Sequence, residues 1–277
     1  MKMTIPRVVL ALSVMSASLA AQWLNHPDPQ TPRQYDGKPN LSAPAPRLNG
    51  KVDLTGLWEA DATPMRELKQ ALPPDFFDLQ IDAPNVSKYL LNLLWDFNAE
   101  RDPTRPEAAA LLKQRSETNG KDLPTSRCLP GSIPITLLVL PFKIVQAPRQ
   151  IVMLFEHYDP PRHIFTDGRR LPEQLDPSWT GYATGTWKGD TLVVESKGFN
   201  DKAWLDAGGH PRSESLRLTE RYSRRDFGHL VLDLTVDDPK YYSRPFTVSL
   251  PFHLIPDSDV LEAVCAENER DYVHLRK

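Results

Sequence analysis

The stretch GFNDKAWLDAGGHPRSESLRLTER, residues 198–221, concentrates reactive side chains between two segments that read as strands. His210 can give and take a proton near neutral pH. Asp201, Asp206 and Glu214 are carboxylates able to orient its second ring nitrogen, and Arg217 can meet an anionic or carbonyl oxygen. Trp204 offers an aromatic face to cover a ligand, and Gly208-Gly209 gives the backbone freedom just before the histidine. A connection between hairpin strands normally needs only about two to five residues. The surplus predicts a lid that carries an acid–base dyad to the mouth of a cavity. The competing reading is a loop folded on its own polar contacts, with Asp201 capping a short turn and Pro211 opening another.

Other groups stand apart from this loop. A DPP turn would set His157 and His163 opposite each other across a hairpin, near enough to share a metal, although His-x5-His specifies no site by itself. In HIFTDGRRLP, Asp167-Gly168 reads as a turn. Arg169 behind it could grip a carboxylate or phosphate; Tyr182, Trp204 and Arg221 are the other ligand-binding candidates. Arg217, Arg221 and Asp233 alternate onto one strand face. Outside a barrel they would be solvated ion pairs; inside they would form a charged floor for a polar ligand. Gly-x-Ser-x-Gly, P-loop, dinucleotide Gly-rich, Cys-x-x-Cys and His-Glu-x-x-His patterns are all missing, so no cofactor is expected.

These residues need a scaffold, and composition bounds it. The chain has 277 residues, 27 of them Pro and 13 Gly, which suits one large barrel with additions. Residues 1–21 resemble a signal peptide: Lys2 and Arg7, then VVLALSVMSASLA, too short to span a bilayer, then small residues for cleavage. Loss of those two cations makes the formal net charge of −3 more negative, which disfavours nucleic acid as a partner. No later apolar run is long enough to cross a membrane. A periplasmic or secreted location follows, and with it an oxidising environment. Two cysteines, Cys128 and Cys265, then predict one disulfide, the alternative being two buried thiols.

Residues 22–52 are proline-rich and aperiodic and read as an extended arm. The remainder, 53–277, reads as one β-barrel domain with a helical insertion at about 84–119. VSKYLLNLLWDF has helical spacing over about 84–99. RPEAAALLKQR opens a second helix at Pro106, with Asn119-Gly120 as its stop. From 134 onward come LLVLPFKIVQ, IVMLFEHY, RHIFT, TGYATGTW, TLVVESK, LRLTERY, HLVLDLTV and RPFTVSLPF, most of them joined by short turns. Sequential strands with tight turns make an antiparallel meander. A Lys188-Gly189 turn would pair Gly185 with Leu192. The next hairpin would pair Leu218 with Leu234 and place Arg217, Arg221 and Asp233 on the opposite face. A single layer this long must close or pack on another layer. The expected fold is mainly β: an antiparallel up-and-down barrel.

LTGLW at the first strand resembles the Gly-x-Trp signature of calycin (lipocalin-like) barrels. DGKPNLSAP, CLPGSIP, PFKIVQAP, HIFTDGRRLP, GTWKGDTLVVESKGFND, GHPRSESLRLTERYSRRDFGH, DDPKYYSRPF and VCAENERD resemble an uncharacterised family of exported bacterial proteins. That resemblance implies an envelope location and a barrel, and it implies no activity.

Two functions fit. One is an exported small-molecule enzyme of lyase, isomerase or hydrolase type, using His/carboxylate chemistry at the barrel mouth. The other is a non-catalytic lipocalin-like binder of a small apolar or aromatic ligand. A structural role played through the arm is the third reading. A buried His with a carboxylate in hydrogen-bond reach favours the first; an apolar cavity with polar groups only at its rim favours the second.

Overall fold

The computed structural model describes residues 27–71, 86–118 and 120–265. The signal-peptide reading, the start of the 84–99 helix and Asn119 lie outside the described residues.

Nine strands form a closed barrel. The chain first makes a small hairpin, β1 (Arg47–Leu48) with β2 (Lys51–Val52). The barrel follows with β3 (Gly56–Ala60), β4 (Phe142–Ala147), β5 (Gln150–Phe155), β6 (Arg162–Phe165), β7 (Tyr182–Lys188), β8 (Thr191–Lys197), β9 (Arg217–Arg224), β10 (His229–Asp237) and β11 (Phe246–Leu254). Each strand pairs with its neighbour in sequence, and β11 closes the ring on β3 through Leu254 opposite Trp58. Alternation decides which side chains fill it. In β10, every second residue from Leu230 to Val236 is fully buried.

The antiparallel expectation holds for every pair but one. β6 and β7 run parallel, with Ile164 opposite Ala183 and Phe165 opposite Thr184. The reason is arithmetical: strands that alternate in direction cannot close a ring of odd number, so nine strands force one like-directed pair. The connection 166–181 therefore travels from one end of the barrel to the other.

The β7–β8 and β9–β10 hairpins both sit two residues away from the expected register. The first turn is Gly189-Asp190, since Lys188 faces Thr191, and Gly189 at φ +63° supplies the positive angle a two-residue turn needs. Gly185 consequently faces Val194, and in the next hairpin Leu218 faces Val236. A slip of two keeps each side chain on its face, whereas a slip of one would turn the strand inside out. Arg217, Arg221 and Asp233 do share a face, and it is the outer one: both arginines are exposed.

The barrel has two ends. At the arm end lie the 189–190 and 225–228 turns, where Phe227 and Gly228 donate backbone N–H groups to Ala43 and Leu41 at 2.7 Å each. At the opposite, insertion end, residues 61–141 enter between β3 and β4. They carry α1 (Met65–Ala71), α2 (Lys88–Leu91), α3 (Pro106–Glu117), a 3-10 turn (Pro124–Arg127) and α4 (Ile135–Val139). The helix expected over 84–99 survives among the described residues only as the four residues of α2. Leu93 N–H, which would continue it, donates instead to the Asp206 carboxylate at 2.7 Å, and Asn92 is extended at φ −154°. LLVL, expected as strand, belongs mostly to α4, whose Ile135, Leu137 and Leu138 are buried. A short apolar run reads alike as buried strand or buried helix.

Core side chains close tightly on one another inside the barrel. The void among Leu54, Ile144, Ile151, Met153, Ile164, Leu192 and Tyr222 has no room for a water. At the arm end Trp58 is fully buried, donates Nε1–H to the Leu54 carbonyl at 3.0 Å and lies 4.9 Å under the Arg224 guanidinium. Burial draws Arg224 down to about 10, and carbonyls of Asp53, Thr55, Asp226 and Phe227 accept its N–H groups. Within the barrel an ion pair is enclosed: Arg162 donates to Glu220 at 2.7 and 2.5 Å, with Tyr222 Oη and Ser196 Oγ donating to the same carboxylate at 2.7 and 3.1 Å. Burial pushes Glu220 up, but the Arg162 charge and these hydrogen bonds outweigh it and hold the carboxyl low.

Cys128 and Cys265 are bridged, with Cα atoms 5.6 Å apart. The bond fastens the strap that follows β11, residues 255–265, to the insertion. Lys143 adds an ion pair to Asp259 at 2.6 Å, and Glu156 accepts Leu261 N–H at 3.1 Å.

Candidate functional site

Two buried His–Asp dyads lie at the insertion end, one in each of two irregular segments. The first is in the loop of residues 198–216. His210 Nδ1 lies 2.6 Å from Asp206 Oδ2. Asp206 is fully buried and also accepts N–H groups from Leu93 (2.7 Å), Gly209 (2.9 Å) and His210 itself (3.1 Å). Of the carboxylates offered for orienting His210, the structure uses Asp206; Asp201 and Glu214 are exposed. Burial pulls the His210 ring down, but the Asp206 charge and hydrogen bond outweigh it, so its pKa is raised.

This loop is clamped by the insertion rather than poised over an opening. Ala207 N–H donates to Leu90 O at 2.8 Å, and Arg115 of α3 donates to Gly209 O at 2.7 Å. Gly208 lies so near Leu91 O that a Cβ there would come within 2.4 Å, so glycine is required by close approach. Trp204 is buried beneath the Arg115 guanidinium, 4.3 Å from it, and so is not the expected cover over a barrel cavity. Aromatic area that a ligand would use is spent on α3.

The second dyad joins His157, a sequence candidate for metal binding, to Asp159. His157 and Asp159 follow β5 in the short loop that the sequence suggested as a metal-binding hairpin. His157 Nδ1 is hydrogen-bonded to Asp159 Oδ2, and both residues are buried. His163 faces Val152 instead and is exposed on the outer surface, ring-stacked near Phe165 at 6.4 Å. The two histidines are therefore not cross-strand partners. Among the described residues no group of three His, Cys, Asp or Glu could hold a metal.

From Asp159 the network runs inward. Its Oδ1 accepts Ser132 N–H at 3.0 Å. Burial pushes Asp159 up, but the bonds from His157 and Ser132 prevail and hold its carboxyl low. Ser132 is fully buried with φ +65°, a left-handed conformation that costs a non-glycine residue of order 1 kcal/mol. Its hydroxyl donates to Trp179 O and accepts from Arg212 Nη1 at 2.6 Å. Arg212 Nη2 donates to Asn200 Oδ1 at 3.1 Å and Trp179 O at 3.3 Å, and the guanidinium lies 5.2 Å from the Phe199 ring centroid.

Arg212 is the unusual member. It is 1% exposed, no carboxylate in the described residues forms an ion pair with it, and its Nε–H has no partner. Burial draws it down to about 9, with Asp201, Asp238 and Asp159 compensating only from a distance. Beside it, Asp238 accepts Ser213 N–H and hydroxyl at 2.6 and 2.7 Å, which holds the backbone next to Arg212.

Remaining candidates lie outside this network. Arg169 is exposed, donates to Asp167 at 2.6 Å and reaches Tyr182 Oη at 3.3 Å. Arg221 is exposed on β9. Glu214 and Arg217 line an open cleft of about 430 Å³ with Lys197, Glu173 and Asp237. Periodicity could not have found Ser132, Arg212 or Asn200, because all three sit in irregular segments. A weaker signal was present: CLPGSIP, GFND and GHPRSE, distant along the chain, meet at this one cluster.

Fold and site together define a closed nine-stranded mixed β-barrel with a packed core and a buried polar network among irregular segments at its insertion end. No family model, no curated protein and no solved structure matches this chain. Among the described residues no helix is long and apolar enough to cross a membrane.

Proposed function

We propose that the protein is an exported small-molecule enzyme that works by acid–base chemistry at the insertion end of the barrel. The His157–Asp159 dyad is the proton-transfer group. Arg212 and Ser132 are the groups that meet a substrate oxygen as charge develops on it. The reaction is of lyase, isomerase or hydrolase type, each of which needs a proton moved beside a polarised oxygen. One observation carries this reading: a guanidinium buried with no ion-pair partner, next to a His–Asp dyad and a serine held in a left-handed conformation. Each of these features costs stability, and costly features concentrate at functional sites. His210–Asp206 is the second dyad, and the hydrogen bonds that Asp206 accepts suit it to holding the loop. The signal-like N-terminus and the disulfide support export.

A thermal-shift screen of the purified protein against small carboxylates, esters and hydroxy acids tests this, with hits followed for turnover by NMR. A hit should be consumed by the native protein and not by His157→Gln, while Arg212→Met should lose both the shift and the turnover. Turnover unchanged in His157→Gln would refute the dyad's role. The alternative is a non-catalytic, lipocalin-like binding protein for a small apolar or aromatic ligand. A hit that binds both variants as tightly as native and is never consumed would select it.

A further inference from the structure

The seam that closes the ring carries a line of ionisable side chains. β11 meets β3 through three residue pairs, Phe252 with Ala60, His253 with Glu59 and Leu254 with Trp58, against eight between β10 and β11. His253 spans that seam. Its Nε2 lies 3.3 Å from Glu59 of β3, and its Nδ1 lies 2.9 Å from Asp61 just beyond. The charged groups on neighbouring elements have partners of their own. His229 of β10 stands directly opposite His253, but its ring is bonded to Asp226 at 2.6 Å, and Arg225 of the same turn reaches Asp226 at 3.2 Å. Lys143 of β4 is paired with Asp259 at 2.6 Å. Glu156, just past β5, accepts Leu261 N–H; burial pushes it up and the Glu59 charge pushes it further.

A neutral imidazole carries one N–H and an imidazolium carries two. Only the protonated ring can donate to both carboxylates at once; the neutral ring turns a lone pair toward one of them. We propose that His253 is a proton-operated clasp on the ring-closing seam: protonated, it binds Glu59 and Asp61 together and holds β11 to β3; neutral, it holds one of them, and the seam opens more often. Linkage fixes the direction. The Glu59 contact raises the His253 pKa, burial opposes the rise and the Asp61 bond adds to it. With the folded value raised, the clasp is complete below about pH 6.5, down to the carboxylate range near pH 4, and is lost as pH rises through the folded value. The clasp is separate from the insertion-end network and does not depend on the reaction proposed there.

Hydrogen exchange of the full, oxidised chain at pH 6 and pH 9, with each amide corrected for its intrinsic rate, tests it. Asp61 N–H donates to Pro251 O at 2.9 Å and Ile255 N–H to Leu57 O at 2.8 Å, so these two amides report opening at either end of the seam. Relative to the amides of β7 and β8, their protection should fall about twofold to fivefold from pH 6 to pH 9, the worth of one partly exposed ion pair. His253→Gln donates hydrogen bonds but does not titrate, so its ratio should be the same at both pH values, while His229→Gln should keep the native fall. Followed by NMR, the His253 ring should titrate above pH 6.5 in the native chain and at lower pH in the Glu59→Gln/Asp61→Asn double variant. A flat ratio in the native protein, an equal fall in His253→Gln, loss of the fall in His229→Gln, or a His253 titration unmoved by the double variant would each overturn the proposal.

Discussion

Glu220→Gln isolates the worth of the charge sealed inside the barrel. The substitution keeps the size of the side chain and one acceptor oxygen, for Tyr222 or for Ser196, which bond different carboxylate oxygens, and it removes the negative charge that Arg162 faces at 2.5 and 2.7 Å. Arg162 is 1% exposed, so its cation cannot turn to water. Uncompensated buried charges of this kind cost about 3–5 kcal/mol, a large part of the roughly 5–15 kcal/mol that holds a domain folded. Urea unfolding followed by tryptophan fluorescence at pH 7 should show a fall of about 3 kcal/mol or more, with the slope unchanged. The double change Arg162→Met/Glu220→Leu should lose less than Glu220→Gln alone, because it removes both desolvated charges. Acid supplies a further check. The folded pKa of Glu220 lies below its unfolded value, so its contribution is present above the unfolded pKa, near 4.3, and is lost as pH falls through the folded one. The gap between native and Glu220→Gln should therefore close in acid. A loss under about 1 kcal/mol at pH 7, or single and double effects that simply add, would refute the reasoning.

Cys265→Ser should lower stability by up to about 5 kcal/mol, from the loop-entropy relation applied to the 137-residue separation of the two cysteines. Unfolding with and without reductant measures it, and native and variant should coincide once reduced. His210 has a raised folded pKa, so its stabilising contribution is complete below about pH 6.5 and is lost as pH rises through the folded value. The melting-temperature advantage of native protein over His210→Gln should shrink between about pH 6 and pH 9; an advantage that grows with pH would contradict the assigned pairing.

The barrel was legible because strand alternation is a strong local signal. Leu230, Leu232, Leu234 and Val236 declare a face without any knowledge of their neighbours. Turn position was less legible: Lys188-Gly189 and Gly189-Asp190 are both reasonable turns, and only cross-strand packing selects between them. The parallel β6–β7 pair could be seen only once the strands had been counted around a closed ring. For the site, three carboxylates stand near His210 in sequence, Asp201, Asp206 and Glu214, and Asp206 is the partner. Outward placement of Arg217 and Arg221 was one of two open readings, because alternation separates faces without saying which is inside. Ser132 and Arg212 stayed hidden because they are 80 residues apart and neither belongs to a repeating pattern.

The seam where β3 meets β11 also sets when the protein can become itself. β3 is the first barrel strand made and one of the shortest, held by three residue pairs on each side. One of those sides belongs to the last strand, so Trp58 must wait for Leu254. Ordering that much intervening chain before the contact forms is entropically slow, and high contact order delays folding. The hairpins from β7 to β10 need only near neighbours and should assemble early, with ring closure as the late step. Until then the Trp58 edge is an unpaired strand looking for a partner, which is the form most exposed to pairing with another copy of itself.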